Sequence, residues 1–200
     1  MNKFFYFIKI LIISLVSYGA YSAPNPVDTL KTSADKIIEV LASHQAELHV
    51  KPQIINNAVH NFIVPQVDVA GMSRSVLGRN SWNRATPAER DEFAKLFTEL
   101  VIRTYATPLA NYKDETVVFT PAKQNITGRF TKVSSIIKSG SGRKIPLVYS
   151  LVLINDKWKI YDFSVEGVSL LQSFRTQFAQ VLNQSSMSEL LKSMHNRAKK

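Results

Sequence analysis

The side chains that most often bind metal ions or act as nucleophiles are sparse in this sequence. The chain of 200 residues contains no cysteine, which excludes disulfides, thiolate metal sites and cysteine nucleophiles. No two histidines stand four residues apart, the spacing with which a helix presents two imidazoles to one metal ion, and P-loop and GxGxxG patterns are absent. We therefore expect no metal site, no cofactor and no catalytic histidine. The histidines, interpreted as surface or core residues, are His44, His49, His60 and His195.

Asp162 is the carboxylate whose position most suggests chemistry. It lies in a predicted strand between Tyr161 and Phe163, and a partly buried aspartate in a cone-shaped α+β fold could transfer protons. The alternative is that Asp162 pairs with a basic neighbour or caps a backbone group. We expect no catalytic residue, and we keep an enzyme that uses Asp162 as the acid or base as an alternative hypothesis.

Apolar periodicity and helix signals predict about six helices around these residues. Thr86, Pro87 and Glu89 form the pattern of a capping box and begin the longest helix, which Pro108 should kink near its end. Gly78 should stop the third helix. The predicted helices cover 26–41, 52–64, 67–77, 87–109 and 168–182, and a last one begins near Ser186 or Ser188.

Four strands joined by short turns are predicted between the longest helix and the last two helices. They cover 116–120, 126–137, 144–154 and 157–165, and their order predicts an antiparallel meander. The third strand is apolar at nearly every position, so both of its faces need cover. Either side chains fill the core on both sides, or one face lines a cavity for an apolar ligand.

The first residues have the order of a secretory signal. Lys3 gives a positive start, an apolar stretch runs to Val16, and small residues precede Ala23. The unbroken apolar run is shorter than the ~20 residues that span a bilayer. We predict a cleaved signal over 1–22, a single domain over 23–200, and a soluble protein in the periplasm.

The formal net charge of +10 favours anionic partners. Cleavage of the signal would remove Lys3 and Lys9 from this balance. Export argues against nucleic acid and leaves phospholipid headgroups or acidic protein faces. A solvated basic surface with no specific partner is the alternative.

Two motifs together resemble the MlaC family, also called toluene-tolerance auxiliary proteins. The first runs from Leu77 to Phe93 with the sequence LGRNSWNRATPAERDEF. The second runs from Trp158 to Leu170 with the sequence WKIYDFSVEGVSL, and the segment from Phe62 to Asp68 also fits the family. The resemblance covers essentially the whole chain after the predicted signal.

The resemblance implies a fold, a function and partners. The implied fold is α+β: a curved four-stranded antiparallel sheet wrapped by about six helices, nuclear-transport-factor-like, with an internal apolar cavity. The implied function is to carry phospholipid between an outer-membrane lipoprotein–porin complex and an inner-membrane ABC transporter complex with an MCE-type substrate-binding subunit, which maintains the lipid asymmetry of the outer membrane. The family is not enzymatic and needs no metal, and we expect a monomer. A ligand-free adaptor protein is the remaining alternative.

Apolar residues from both motifs, the third strand and the longest helix are predicted to line the lipid pocket, with ordinary core positions as the alternative for each. They are Leu77, Trp82, Phe97, Val101, Tyr105, Leu147, Tyr149, Leu151, Phe163, Val168, Phe174 and Phe178. Arginines near the mouth could meet the lipid phosphate or a protein partner. The candidates are Arg79, Arg84 and Arg143.

Overall fold

The computed structural model describes residues 24–121, 126 and 128–198. The predicted signal over 1–22 lies outside the described residues. The helices are α1 (Pro26–Ser43), α2 (Gln53–Phe62), α3 (Val69–Arg84), α4 (Pro87–Ala110), α5 (Leu170–Leu182) and α6 (Met187–Ala198). The strands are β1 (Thr116–Phe119), β2 (Phe130–Lys138), β3 (Lys144–Ile154), β4 (Lys157–Val165) and β5 (Val168–Ser169). Short 3₁₀ turns lie at Gln45–Glu47 and Val64–Gln66.

Polar side chains fix the beginnings of the helices. The predicted capping box of α4 is confirmed: the Glu89 amide donates to Thr86 Oγ1 at 3.2 Å, and the Thr86 amide donates to Glu89 Oε2 at 2.8 Å. The Asn25 side chain accepts from the Val27 amide at 3.0 Å and caps α1. Such contacts satisfy amide groups that have no partner within the helix.

The prediction that α3 stops at Gly78 is wrong, although Gly78 does break the helix. Its φ of 73° and ψ of 161° are not helical, yet the chain returns to a helix that runs on to Arg84. This backbone region is accessible almost only to glycine. Gly78 therefore divides α3 into two short helical segments that meet at an angle.

The sheet is an antiparallel meander in the order β1-β2-β3-β4-β5, as predicted, but it has five strands and not four. The additional strand β5 contains two residues and returns along β4 through a turn in which Glu166 and Gly167 both have positive φ. A strand of two residues leaves no alternating pattern to read, so the sequence does not reveal it.

A β-bulge interrupts the pairing of β3 with β4. Ser150 pairs with Asp162, but the next residue, Leu151, pairs with Ile160. The extra residue, Tyr161, lies on β4. A bulge of this kind reverses the alternation of side chains beyond it, so Ile160 and Phe163 can lie on the same face of the sheet.

Within the described residues, most of the buried apolar side chains form three clusters. The largest joins α3, α4, α5 and α6 around Phe93, Phe97 and Phe178. A second joins Leu30 of α1 to the sheet, and a third joins α1 to α2. No helix in the described part of the chain is long and apolar enough to cross a membrane.

Candidate functional site

An apolar cavity of about 440 Å³ lies between the helices and one face of the sheet. All three clusters contribute to its wall, through residues such as Met72, Leu30 and Ile37. Its volume is within the roughly 300–1,000 Å³ of typical small-molecule pockets. The prediction of an internal apolar cavity is confirmed.

Helix α1 supplies one wall through a continuous stripe. The stripe residues recur at helical spacing, so they share one face of the helix. They are Leu30, Ser33, Ala34, Ile37, Ile38 and Leu41. The segment that follows α2 adds Ile63, Val64, Gln66 and Val67, and α4 adds Phe97, Thr98, Val101 and Ile102.

The inner face of the sheet supplies the opposite wall. Val117, Ile137 and Ile145 are cross-strand neighbours on β1, β2 and β3, and all three line the cavity. Leu147 and Tyr149 continue this row along β3. On β4 the bulge allows both Ile160 and Phe163 to line the cavity.

Few polar groups reach the wall, and most of them are already hydrogen-bonded within the protein. Ser33 Oγ donates to Thr29 O at 3.2 Å, and Thr98 Oγ1 donates to Ala94 O at 2.8 Å. The Tyr149 hydroxyl accepts from Ser135 Oγ at 3.5 Å. Burial raises the pKa of Tyr149, and the bond from Ser135 offsets only part of that effect. Tyr149 is therefore neutral at physiological pH, and this part of the wall carries no charge.

One part of the cavity wall carries negative charge. Glu115 lines the wall beside Tyr112, and its Oε2 atom accepts from the Lys113 amide at 2.8 Å. Burial, together with the charges of Glu115 and Asp114, raises the pKa of Tyr112. Within the described residues, the cavity wall contains no lysine or arginine.

Five of the twelve predicted lining residues lie on the cavity wall. They are Phe97, Val101, Leu147, Tyr149 and Phe163. The long helix and the third strand thus meet at one site, as their apolar faces indicated.

The other seven lie elsewhere. Leu77, Phe174 and Phe178 are buried in the cluster of α3 to α6, and Trp82 and Tyr105 contact that cluster at its edge. Leu151 is beyond the bulge and packs against Leu30, while Val168 is 64% exposed in β5. For these positions, apolar periodicity indicated burial but not which residues would border a void.

Sequence reasoning missed a large part of the wall that comes from α1 and the segment after α2. The stripe from Leu30 to Leu41 is visible in the sequence. It has the form of any amphipathic helix that covers a core, so no sequence signal distinguished it. Only the distance between α1 and the sheet makes it a cavity wall.

The three predicted headgroup arginines are exposed and do not line the cavity. Arg79 and Arg84 lie on the second segment of α3, and Arg143 lies in the turn between β2 and β3. Near them, Trp82 is held between Arg74 and Arg90, whose guanidinium carbons are 5.9 and 5.2 Å from the ring centroid. Trp82 therefore has a structural partner on this surface.

Asp162 caps α5. Its Oδ1 atom accepts from the Leu171 amide at 3.0 Å, and its Oδ2 atom accepts from Ser169 Oγ at 2.7 Å. Ser169 in turn accepts from the Gln172 amide at 3.0 Å. Both oxygens thus hold the start of α5 against β4, which is the capping role named as the alternative to proton transfer. Within the described residues, no group of His, Asp or Glu side chains could hold a metal ion.

Comparisons with known proteins identify the same family as the motifs. The family model described as MlaC protein matches residues 31–196. The chain is 27% identical over 193 residues to the intermembrane phospholipid transport system binding protein MlaC of Haemophilus influenzae, covering 94% of this chain and 89% of that protein. It is 24% identical over 164 residues to the toluene tolerance protein ttg2D of Pseudomonas putida, covering 82% and 76%.

A solved structure has the same fold. The phospholipid-binding protein from Ralstonia solanacearum, determined in complex with a phospholipid, superposes with a TM-score of 0.78 at 26% identity, covering 86% of this chain and 96% of that one. With a family model that spans most of the chain and an apolar cavity between its helices and sheet, this protein belongs to the MlaC family.

Proposed function

We propose that this protein is a periplasmic phospholipid carrier that moves lipid between an outer-membrane complex and an inner-membrane ABC transporter. The observation that carries the proposal is the cavity of about 440 Å³, whose wall is almost entirely apolar. The relatives support it, because one is named as a phospholipid transport binding protein and another was solved with a phospholipid.

The energetics of acyl chains explain why a carrier needs an interior site. Burial of a methylene group is worth about 0.8 kcal/mol, so a sixteen-carbon chain costs on the order of 12 kcal/mol to expose to water. A surface groove would leave much of the acyl chain in contact with water. A cavity bordered by α1, α4 and the sheet can remove most of it from water.

The exposure of the cavity wall points the same way. The cavity is partly open to solvent, so water can reach its almost entirely apolar wall when no ligand is bound. Apolar surface in contact with water is unfavourable by about 25 cal/mol per Å². A ligand of matching polarity that fills the cavity would remove this surface from water.

The proposed chemistry is binding and release without bond cleavage. The carboxylate that could have acted as an acid or base, Asp162, is hydrogen-bonded to the start of α5. Asp162 does not line the cavity. The polar groups of the wall are hydroxyls, one amide and one carboxylate, and the cavity is bordered mainly by aliphatic and aromatic carbon.

The most direct test is solvent extraction of the purified protein followed by mass spectrometry. We expect about one phospholipid per protein in the wild type. Ala34→Phe places a ring in the cavity and should lower the lipid content severalfold, whereas Ala42→Phe, on the exposed face of the same helix, should not. A wild-type protein that carries no lipid and takes none from vesicles would contradict the proposal.

The transport step needs a second measurement. Protein loaded with fluorescent phospholipid should transfer it to proteoliposomes that contain the inner-membrane transporter complex, and faster than to protein-free liposomes of the same lipid. Equal rates would contradict the proposed partner while leaving lipid binding intact.

A further inference from the structure

A polar groove of about 330 Å³ adjoins the apolar cavity on the outer surface. It runs between α1 and the segment that ends α2, and two of its lining residues, Ser33 and Gln66, also line the cavity. The groove residues are Asp28, Thr29, Thr32, Ser33, Lys36, Asn61, Phe62 and Gln66. The apolar cavity and the polar groove are therefore neighbours that share these two side chains.

Helical geometry places the groove and the cavity on neighbouring faces of α1. Thr29, Ser33 and Lys36 follow one another at intervals of four and three residues and share one side of the helix. The stripe that lines the cavity includes Ser33 as well. Ser33 thus marks the boundary at which an amphiphilic molecule would pass from apolar to polar surroundings.

The groove contains a cation that is available to an anion. Lys36 Nζ lies 5.3 Å from the centroid of the Phe62 ring, which orients the ammonium over the groove. Within the described residues Lys36 forms no ion pair, whereas Lys31 on the same helix pairs with Asp35. The one carboxylate that lines the groove, Asp28, lies in the first turn of α1, where the positive end of the helix dipole offsets its charge.

The amide groups of the groove can add donors. Thr32 Oγ1 donates to Asp28 O at 2.8 Å, and Ser33 Oγ donates to Thr29 O, so neither hydroxyl proton is free for a ligand. Asn61 and Gln66 have side-chain NH₂ groups that can donate to an acceptor oxygen.

Another part of the cavity wall carries the wrong charge for a phosphate. Glu115 lines the wall near the end of α1, where Gln45 Nε2 donates to Lys113 O at 2.9 Å. The charges of Glu115 and Asp114 both act on Tyr112. A phosphodiester would be repelled beside Glu115 and attracted beside Lys36, because like charges in a partly desolvated site are unfavourable.

We propose that the groove beside α1 holds the phosphodiester of the bound phospholipid, with Lys36 as its cation and the acyl chains entering the cavity past Ser33 and Gln66. This assignment rests on the proposed function. It replaces the three arginines, which lie on other surfaces, by a lysine that adjoins the cavity.

The test compares Lys36→Gln with Lys31→Gln on the same exposed helix. Each purified protein is loaded from vesicles of phosphatidylethanolamine and phosphatidylglycerol, and the bound lipid is measured by mass spectrometry and by ³¹P NMR. We expect Lys36→Gln to lower loading about two- to fivefold, the effect of an exposed charge contact, and to shift the ³¹P resonance. Lys31→Gln should do neither, and Lys36→Arg should restore loading.

Two results would overturn the assignment. One is a Lys36→Gln protein that matches the wild type in loading and in ³¹P resonance. The other is a ³¹P resonance that moves with Glu115→Gln and not with Lys36→Gln, which would put the headgroup beside Glu115. A wild-type protein that takes up no lipid would instead contradict the proposed function itself.

Inorganic phosphate distinguishes a headgroup site from a free-anion site. Lipid-loaded wild-type protein is titrated with inorganic phosphate while the amide signals of α1 are followed by NMR. Binding to the loaded protein through Lys36 would show that the groove is vacant when lipid is present, and would overturn the assignment. No binding to the loaded protein is the expected result.

Discussion

At the scale of single residues, the wall of the cavity depends on side chains that remain uncharged. Tyr149 lies on the wall, and its hydroxyl has one partner, Ser135. Because burial raises its pKa above the ordinary value near 10, the folded state favours the neutral phenol. The stability that Tyr149 contributes is present below that ordinary value and is lost as the pH rises through the higher folded value.

The pH dependence of Tyr149 can be measured directly. We expect the wild type to lose more stability between pH 8 and pH 11 than Tyr149→Phe does, because phenylalanine has no proton to lose. Urea denaturation at both pH values gives the comparison, with each protein at pH 8 as its own reference. Equal losses in the two proteins would contradict the burial of this hydroxyl.

Asp162 offers a second prediction at this scale, because its carboxylate accepts a backbone amide and a hydroxyl at the start of α5. Asp162→Ala should lower the free energy of unfolding by about 1–3 kcal/mol, since the Leu171 amide loses a charged acceptor. Asp162→Asn keeps an acceptor oxygen and should cost less. Urea denaturation measures both values.

The same variants address the enzyme alternative. If the only role of Asp162 is to cap α5, the Asp162→Asn protein should load as much phospholipid per folded molecule as the wild type. A loss of cellular function in a folded, fully loaded Asp162→Asn protein would favour the proton-transfer hypothesis.

At the scale of elements, α4 depends on its capping box and α3 on the break at Gly78. Thr86→Ala removes the oxygen that accepts from the Glu89 amide, and it should cost about 1 kcal/mol of unfolding free energy. Thr86→Ser retains the oxygen and is the matched control. If Thr86→Ala and Thr86→Ser unfolded at the same urea concentration, the cap would contribute nothing.

Gly78 gives a different kind of prediction, because a substitution there would lower stability through backbone strain and not through lost contacts. A Cβ atom added there would meet nothing within 4 Å, yet the φ of 73° is one that side chains disfavour. Gly78→Ala should therefore destabilise the protein by about 1–3 kcal/mol without any clash. Gly71→Ala is not a suitable control, since its Cβ would collide with the Asp68 carboxylate that caps α3.

The bulge on β4 is the element-level feature with the clearest effect on the site. Because Tyr161 is an additional residue of β4 with no partner on β3, Ile160 and Phe163 both reach the cavity wall. In an unbulged strand, residues three apart would point to opposite faces. Local irregularity in the sheet thus adds apolar surface to the cavity without lengthening a strand.

At the scale of the whole molecule, ligand and fold should stabilise each other. A ligand that binds only the folded state adds stability according to its concentration relative to Kd, about 2.7 kcal/mol at a hundredfold excess. Removal of lipid with detergent should therefore lower Tm, and reloading from vesicles should restore it. Calorimetry of Ala34→Phe provides the comparison, since a partly filled cavity should make Tm less sensitive to lipid. An unchanged Tm in the wild type would mean that the cavity does not hold the ligand in the folded state.

Much of the fold follows from local patterns in the chain. The capping residues at Thr86 and Glu89, the apolar period of α1 and α4, and the turns around β3 are short-range signals, and each element that they predicted is present. Three features could not be predicted from local patterns, because each depends on the pairing of strands or on the angle between segments. They are the two-residue strand β5, the helix beyond Gly78 and the bulge at Tyr161.

What the sequence determined by itself was the longer helices and strands, their order and the family, because periodicity, caps and motifs are properties of neighbouring residues. Tertiary structure alone decided which buried side chains border the cavity: Leu147 does, while Phe174 and Phe178 lie in a filled cluster. The physical reason is that apolar periodicity records a side chain's removal from water, whereas a void depends on the spacing between α1, α4 and the sheet. The packing of α1 against the end of α2 likewise places Lys36, and not a predicted arginine, in the groove that shares Ser33 and Gln66 with the cavity.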